Sequence, residues 1–381
     1  GLLDKGDSKV AFFSFDGENA GVLKLGQQFD SSSLQWEYSL DGGKTYKTVA
    51  GNEHQVKLSQ QEIDSITAQN DIKVKLFGVQ TVNTIDIVEG ARPDGYCVND
   101  PERCIYLKDG KSYESIEVGY DGTWHKLEKG KPLPTDKELT LRSAAQGTAL
   151  PSAGDKTVKV PAFKSDWDPS DAQVVHASEL AIHEAPAHYA SSRAERAIDG
   201  YYCDGNEHWE TASMQDPYIV IDLGRERSIK YLDIIARGYG AGGNLRKIKV
   251  SVAPADAQTV PPAKGEQGEP RVKPDAFKDM GDYAIEWQNE PLMRHRVSFS
   301  TPVVGRYIRI DALEAKGSTA SAREFIFYEE KGSAPEVKPD EKPEEKPEVK
   351  PDDAPVFSDV VPASTPHSDH ITWLATSGIS T

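Results

Sequence analysis

Between Ala236 and Arg246 the chain reads Ala-Arg237-Gly-Tyr239-Gly-Ala-Gly-Gly-Asn244-Leu-Arg, which places a guanidinium, a phenol ring and a carboxamide in one glycine-rich stretch. Planar, multidentate donors suit a ligand that presents several hydroxyls, and a flat ring suits its C–H face. Arg237 and Asn244 are candidates for the first task and Tyr239 for the second. Asn206 and His208, just ahead of Trp209, add further polar groups.

Other patterns point toward catalysis and fail on spacing. His183-Glu184-Ala-Pro186-Ala-His188 resembles a zinc-protease helix. Its histidines are five apart instead of four, and Pro186 breaks the helix that must present both on one face. Gly238 to Gly243 lacks the Lys and Ser/Thr of a phosphate loop. Ser39-Leu-Asp41-Gly-Gly43-Lys-Thr45-Tyr46 looks like the Asp-box turn of sialidase propellers, but one copy makes no propeller. Its expected role is structural, with Asp41 accepting from the turn backbone. His367, Asp369 and His370 read as a solvated turn, and no serine nucleophile elbow is present.

A chain of 381 residues implies two to four domains at roughly 100–150 residues each. The formal net charge of −17 disfavours nucleic acid and anionic membranes, because both attract basic surfaces. Neutral glycans carry no such objection. No apolar run approaches the roughly 18 residues of a membrane span. Of the three cysteines, Cys97 and Cys104 lie close together in a polar loop and could close a small disulfide in an oxidising compartment, whereas Cys203 has no evident partner.

The elements that must position these groups read as strands, so the fold class expected is all-β and multidomain. Trp36 to Gly42 and Ile116 to Gly122 both alternate into an Asp-Gly turn, and each leads to a second alternating run, Asp71 to Leu76 and Glu138 to Arg142. This internal repeat predicts two small β-sandwiches, residues 1–92 and 93–165. Gln60 to Gln69 reads as one short helix, with Ser59 as N-cap and Glu62 completing a capping box. Over 172–331 strand signals become dense, at Tyr218 to Leu223, Tyr231 to Ala236, Lys247 to Val252, His295 to Phe299, Tyr307 to Ala312 and Glu324 to Tyr328. In 332–355 a Pro recurs at every fourth position among Lys and Glu, which predicts an extended spacer of roughly 3 Å per residue.

Ala197-Ile198-Asp199-Gly200, Trp209 and Asp216-Pro217-Tyr218-Ile219-Val220-Ile221-Asp222-Leu223-Gly224 resemble the signature of the discoidin, or coagulation factor 5/8 type C, fold. The ending agrees, from Thr301-Pro302-Val303 through Arg306 to Ile310 and closing on Ala322 to Tyr328. The resemblance implies a jelly-roll-like sandwich over 172–331, similar to family 32 carbohydrate-binding modules. Arg237 and Asn244 then occupy places where galactose-binding relatives carry an Arg and an Asn. The same resemblance implies a structural calcium ion held by side chains of Asp199 and Glu324, backbone oxygens near Arg196 and Arg323, and a further ligand from the Asp204–Glu207 loop. That loop is longer than is usual in the family and has Glu207 where a Thr is common, which leaves its ligand open.

Val356 to Thr381 resembles the opening of the S-layer-homology-like repeats that end many bifidobacterial surface proteins, with Phe357, Asp359, Val360, Ile371, Trp373, Leu374, Gly378 and Ile379 in the matching positions. The chain thus reads as a non-catalytic region cut from a longer secreted, cell-wall-associated protein, a glycoside hydrolase of a gut bacterium. It is expected to be a monomer that binds glycans ending in galactose, N-acetylgalactosamine or N-acetylglucosamine. Two other readings remain: a protein-binding adhesin region, or accessory sandwiches completing an upstream catalytic site.

Overall fold

Asp121 and Gly122 stand at φ 55° and 72°, between the paired strands Ile116–Tyr120 and Thr123–Lys126 with Tyr120 opposite Thr123. Positive φ at both central residues is what a two-residue hairpin needs, and Asp-Gly adopts it at little cost. Trp36–Ser39 pairs instead with Lys47–Val49 across a longer loop. There Asp41 Oδ1 accepts from the amides of Lys44 and Thr45, both at 2.9 Å, and the Ser39 hydroxyl donates to it at 2.7 Å. The Thr45 hydroxyl, which donates to Oδ2 at 2.7 Å, and then those donors hold the Asp41 carboxyl well below the usual range, and the motif acts as a structural turn.

Ile72–Leu76 adds to the far side of Trp36–Ser39 and Thr81–Ile85 follows it. Leu139–Ser143 and Val158–Val160 do the same beside Ile116–Tyr120. The two four-stranded sheets therefore share one strand order, the structural counterpart of the internal repeat. Trp36, Tyr38, Ile72 and Val74 belong to one buried cluster, and Ile116, Val118, Leu139 and Leu141 to another. The capping box is present at Ser59 and Glu62, but the helix spans only Gln60–Asp64. Ser65 closes it, its hydroxyl donating to the Glu62 carbonyl at 2.7 Å, and Ile66 joins the first core.

The structure, a computed structural model, describes residues 10–26, 35–50, 53–67, 72–77, 81–262, 269–290 and 292–332. The chain divides into two units, Gly1–Lys331 and Gly332–Thr381. The expected spacer and the expected S-layer-like start lie outside the described residues.

The third sandwich is built on two long strands, Tyr218–Ile235 and Arg294–Ala315. The separate strand signals predicted within each are two halves of one strand. Pairing slips between Asp222 and Arg227 and again between Ile229 and Tyr231, the mark of bulges that bend a strand without ending it. The first half of Tyr218–Ile235 pairs with Ala181–Glu184, while the second half pairs with Glu324–Glu330. Leu245–Ala253 and Lys278–Ala284 extend the sheet beyond Arg294–Ala315. Ile219, Ile221, Leu232, Ile234, Phe325 and Phe327 point inward to one core.

The alternate residues Ile235, Ile326 and Tyr328 are buried too, against Cys97, Cys104, Tyr106, Tyr201 and Tyr202. The second small sandwich covers the outer face of this sheet, which accounts for the unbroken burial from Glu324 to Glu329.

The disulfide forms between Cys97 and Cys203 (S–S 2.06 Å), and Cys104 is a free, buried thiol. A Cys97–Cys104 bridge is therefore not what this fold makes. On the paired strands Tyr96–Asn99 and Cys104–Leu107, Cys97 faces Tyr106 and Cys104 faces Asn99. The two cysteines are thus diagonal neighbours, roughly 7–8 Å apart and beyond disulfide reach.

Candidate ligand-binding loops and metal edge

Trp209–Glu210 pairs with Ser321–Ala322. Strand alternation sends Trp209 into the core, with its ring 6.0 Å from Phe325, and turns His208 and Glu210 to the opposite side. His208 is 4% exposed and Glu210 6%, so their partners decide what they do. Glu210 Oε2 lies 3.2 Å from His208 Nε2 and accepts from Arg237 Nη1 at 3.1 Å, while the Thr319 hydroxyl donates to Oε1 at 2.8 Å. Burial lowers the His208 pKa, with the Glu210 contact opposing it. Nε2 also lies 3.5 Å from the Ser192 hydroxyl, and the Gly205 backbone, like Glu210, works against the lowering.

The glycine-rich segment is tied to the following hairpin by the amides of Gly243, Lys316 and Ser321, which donate to the carbonyls of Lys316 (2.7 Å), Asn244 (2.9 Å) and Gly243 (2.7 Å). Tyr239 stands 67% exposed on it. Asn244 is 3% exposed; its Nδ2 donates to the Gly238 carbonyl at 2.7 Å, so it shapes the loop from within. Asn206 is exposed, and its amide donates to Asp204 Oδ1 at 2.9 Å. The structure thus brings His208 and Arg237 together through Glu210.

Sequence reading did not single out Glu210. The available signal was its place on the polar side of Trp209, two residues from His208. Tyr189 was also missed; it is 58% exposed, and its amide donates to the Glu210 carbonyl at 2.8 Å.

At the Ala-Ile-Asp-Gly motif, Asp199 Oδ1 accepts from the Tyr201 amide at 2.8 Å, and Glu324 Oε1 accepts from the Gly200 amide at 3.1 Å. Burial pushes the Asp199 carboxyl up to about 7. Burial, with the charge of Asp199 adding to it, raises Glu324 far above the carboxylate range. Glu324 Oε2 is buried without a hydrogen-bond partner. Two neighbouring carboxyls that strained, one with an orphaned oxygen, fit a hard cation such as calcium completed by backbone oxygens.

The side chains of Glu207 and Asp204, expected to supply a further ligand, are engaged in ion pairs. Glu207 pairs Oε1 with Lys108 at 3.0 Å and Oε2 with Arg196 at 3.1 Å, and Asp204 lies 3.4 Å from Lys108. The Arg323 guanidinium donates to the Arg237 carbonyl from Nε at 2.9 Å and from Nη2 at 2.6 Å. Among the described residues no three or more His, Cys, Asp or Glu side chains form a metal-binding group.

Residues 177–325 match the F5/8 type C domain. No curated protein matches the chain. Solved structures similar to part of the chain include a family 32 carbohydrate-binding module from a family 31 glycoside hydrolase of Clostridium perfringens (19% identity, 41% of this chain, 95% of that chain, TM-score 0.33). A second is the family 32 module of C. perfringens NanJ in complex with galactose (22% identity, 41% of this chain, 98% of that chain, TM-score 0.29). A third is the C-terminal domain of a Bacteroides fragilis chitobiase (15% identity, 41% of this chain, 96% of that chain, TM-score 0.31).

Proposed function

We propose that the F5/8 type C domain binds the non-reducing end of a neutral glycan, of the galactose or N-acetylhexosamine type, and does no chemistry on it. One observation carries this reading: Arg237, its side chain 34% exposed, is anchored by the buried Glu210, with the exposed ring of Tyr239 in the same loop. A guanidinium held by a buried carboxylate still offers free N–H groups to ligand hydroxyls, while Tyr239 offers a face for C–H contact. His208 and Thr319 fix the carboxylate, and Asn244 fixes the loop. Asn206 on the neighbouring loop is a further hydroxyl contact.

Asp199 and Glu324, with backbone oxygens near Arg196 and Arg323, would hold a calcium ion. Bound there, the ion supplies positive charge that relieves two desolvated carboxylates. Such a module serves a secreted surface glycosidase by raising the local concentration of substrate around it. The acidic chain suits a neutral ligand.

A glycan array with the full chain tests the proposal, repeated with Arg237→Ala. Expected are signals on glycans ending in galactose, N-acetylgalactosamine or N-acetylglucosamine. The variant is expected to lose them at an unchanged melting temperature. Silence of the wild-type chain on every saccharide, or cleavage of one, refutes it.

A further inference from the structure

The loop from Asp199 to Glu207 is gripped from outside its own domain. Cys203 is bonded to Cys97 on the strand Tyr96–Asn99. Asn99, on the same face of that strand, donates from Nδ2 to the Gly200 carbonyl at 3.1 Å. The amide of Asp100 donates to the Tyr202 hydroxyl at 3.3 Å. Lys108, just past the strand Cys104–Leu107, reaches Asp204 at 3.4 Å and Glu207 at 3.0 Å. Five positions of the loop, 200, 202, 203, 204 and 207, are thus touched by the second small sandwich.

On its other side the loop abuts the candidate ligand groups. The Arg323 guanidinium joins the Tyr202 carbonyl (3.3 Å) to the Arg237 carbonyl. A Cβ built on Gly205 would stand 2.7 Å from that Arg237 carbonyl oxygen. Glu207 is followed at once by His208, and Glu210 lies two residues beyond.

Resting on the glycan reading above, we propose that Cys97, Asn99 and Lys108 are positioning residues for the ligand loops. The binding unit is then the second sandwich together with the F5/8 type C domain, not that domain alone. The physical reason is entropic. The loop carries glycines at 200 and 205, and its two buried rings, Tyr201 and Tyr202, lie in the cluster that holds Cys97, Cys104 and Tyr106 of the second sandwich; without those contacts it would sample many conformations, and a ligand would bear the cost of selecting one. Clamping it beforehand removes that cost from binding, so the effect appears in affinity while the ligand touches none of the three residues.

The test uses the full chain with Lys108→Ala, Lys108→Arg, and Cys97→Ser combined with Cys203→Ser. Binding of a glycan positive on the array is measured by calorimetry, and amide hydrogen exchange is followed along residues 199–210. Lys108→Ala is expected to weaken binding roughly tenfold at unchanged melting temperature, with faster exchange in 199–210 and unchanged exchange in Leu139–Ser143. Lys108→Arg is expected to restore both. Wild-type affinity and wild-type exchange in Lys108→Ala and in the disulfide-free protein overturn the proposal. If the wild-type chain binds no saccharide, the glycan reading fails separately. The exchange arm still decides the clamp, and unchanged exchange without the disulfide overturns it.

Discussion

If Asp199 and Glu324 hold calcium as proposed, the stability of the metal-free protein and the stabilisation added by calcium should change in opposite directions between pH 5 and pH 8. In the metal-free protein burial raises the Asp199 carboxyl from 3.8 to about 7, worth roughly 4 kcal/mol at most. The folded state holds this proton more tightly than the unfolded chain. The stabilisation is therefore complete below the unfolded value of 3.8 and is lost as pH rises through about 7. About 3 kcal/mol of it falls between pH 5 and pH 8, or roughly 6–12 °C of melting temperature for a domain of this size. Metal-free protein is accordingly expected to melt higher at pH 5 than at pH 8.

Calcium held as proposed would need both carboxyls ionised, so its stabilisation is expected to be greatest at pH 8, about 2.7 kcal/mol at a hundredfold excess over Kd, and smallest at pH 5. Scanning calorimetry with chelator or calcium at the two pH values reads this crossing. His176, raised by its contact with Glu102, also loses stability as pH rises and gives a background of the same sign. Glu324, which burial also raises, contributes a slope of the same sign, so Asp199→Asn should lessen the metal-free slope by the Asp199 share alone and abolish the calcium effect. Equal pH slopes in wild type and Asp199→Asn, or no effect of calcium at pH 8, refute the reasoning.

Glu210→Gln removes the charge that anchors Arg237 (3.1 Å) and is expected to weaken glycan binding about as much as Arg237→Ala, measured by calorimetry. Retained wild-type affinity would separate Arg237 from its anchor. Gly200 has φ +81°, and a Cβ there would lie 2.5 Å from the Tyr106 ring. Gly200→Ala is therefore expected to cost roughly 2–4 kcal/mol by urea unfolding, and an unchanged midpoint would contradict the close packing of the two sandwiches.

Residues near one another in sequence fixed much of the local structure. Ser59 and Glu62 announce a helix start, Asp121-Gly122 a two-residue hairpin, and Ser39 to Thr45 a structural turn, because each satisfies its backbone from neighbours within a few positions. Alternation about Trp209 and in Tyr218 to Leu223 likewise marks which side chains face the core. The continuity of the long bent strands and the partner of Cys203 depended on contacts between distant segments.

The candidate site divides along the same line. Arg237 and Tyr239 were legible as residue types in one loop. That Glu210 anchors Arg237, that Asn244 turns inward to Gly238, and that Glu207 pairs with Lys108 and Arg196 were decided only by the tertiary structure. A buried charge takes whichever partner the fold brings within a few ångströms, and no spacing along the chain encodes a meeting between residues 108 and 207.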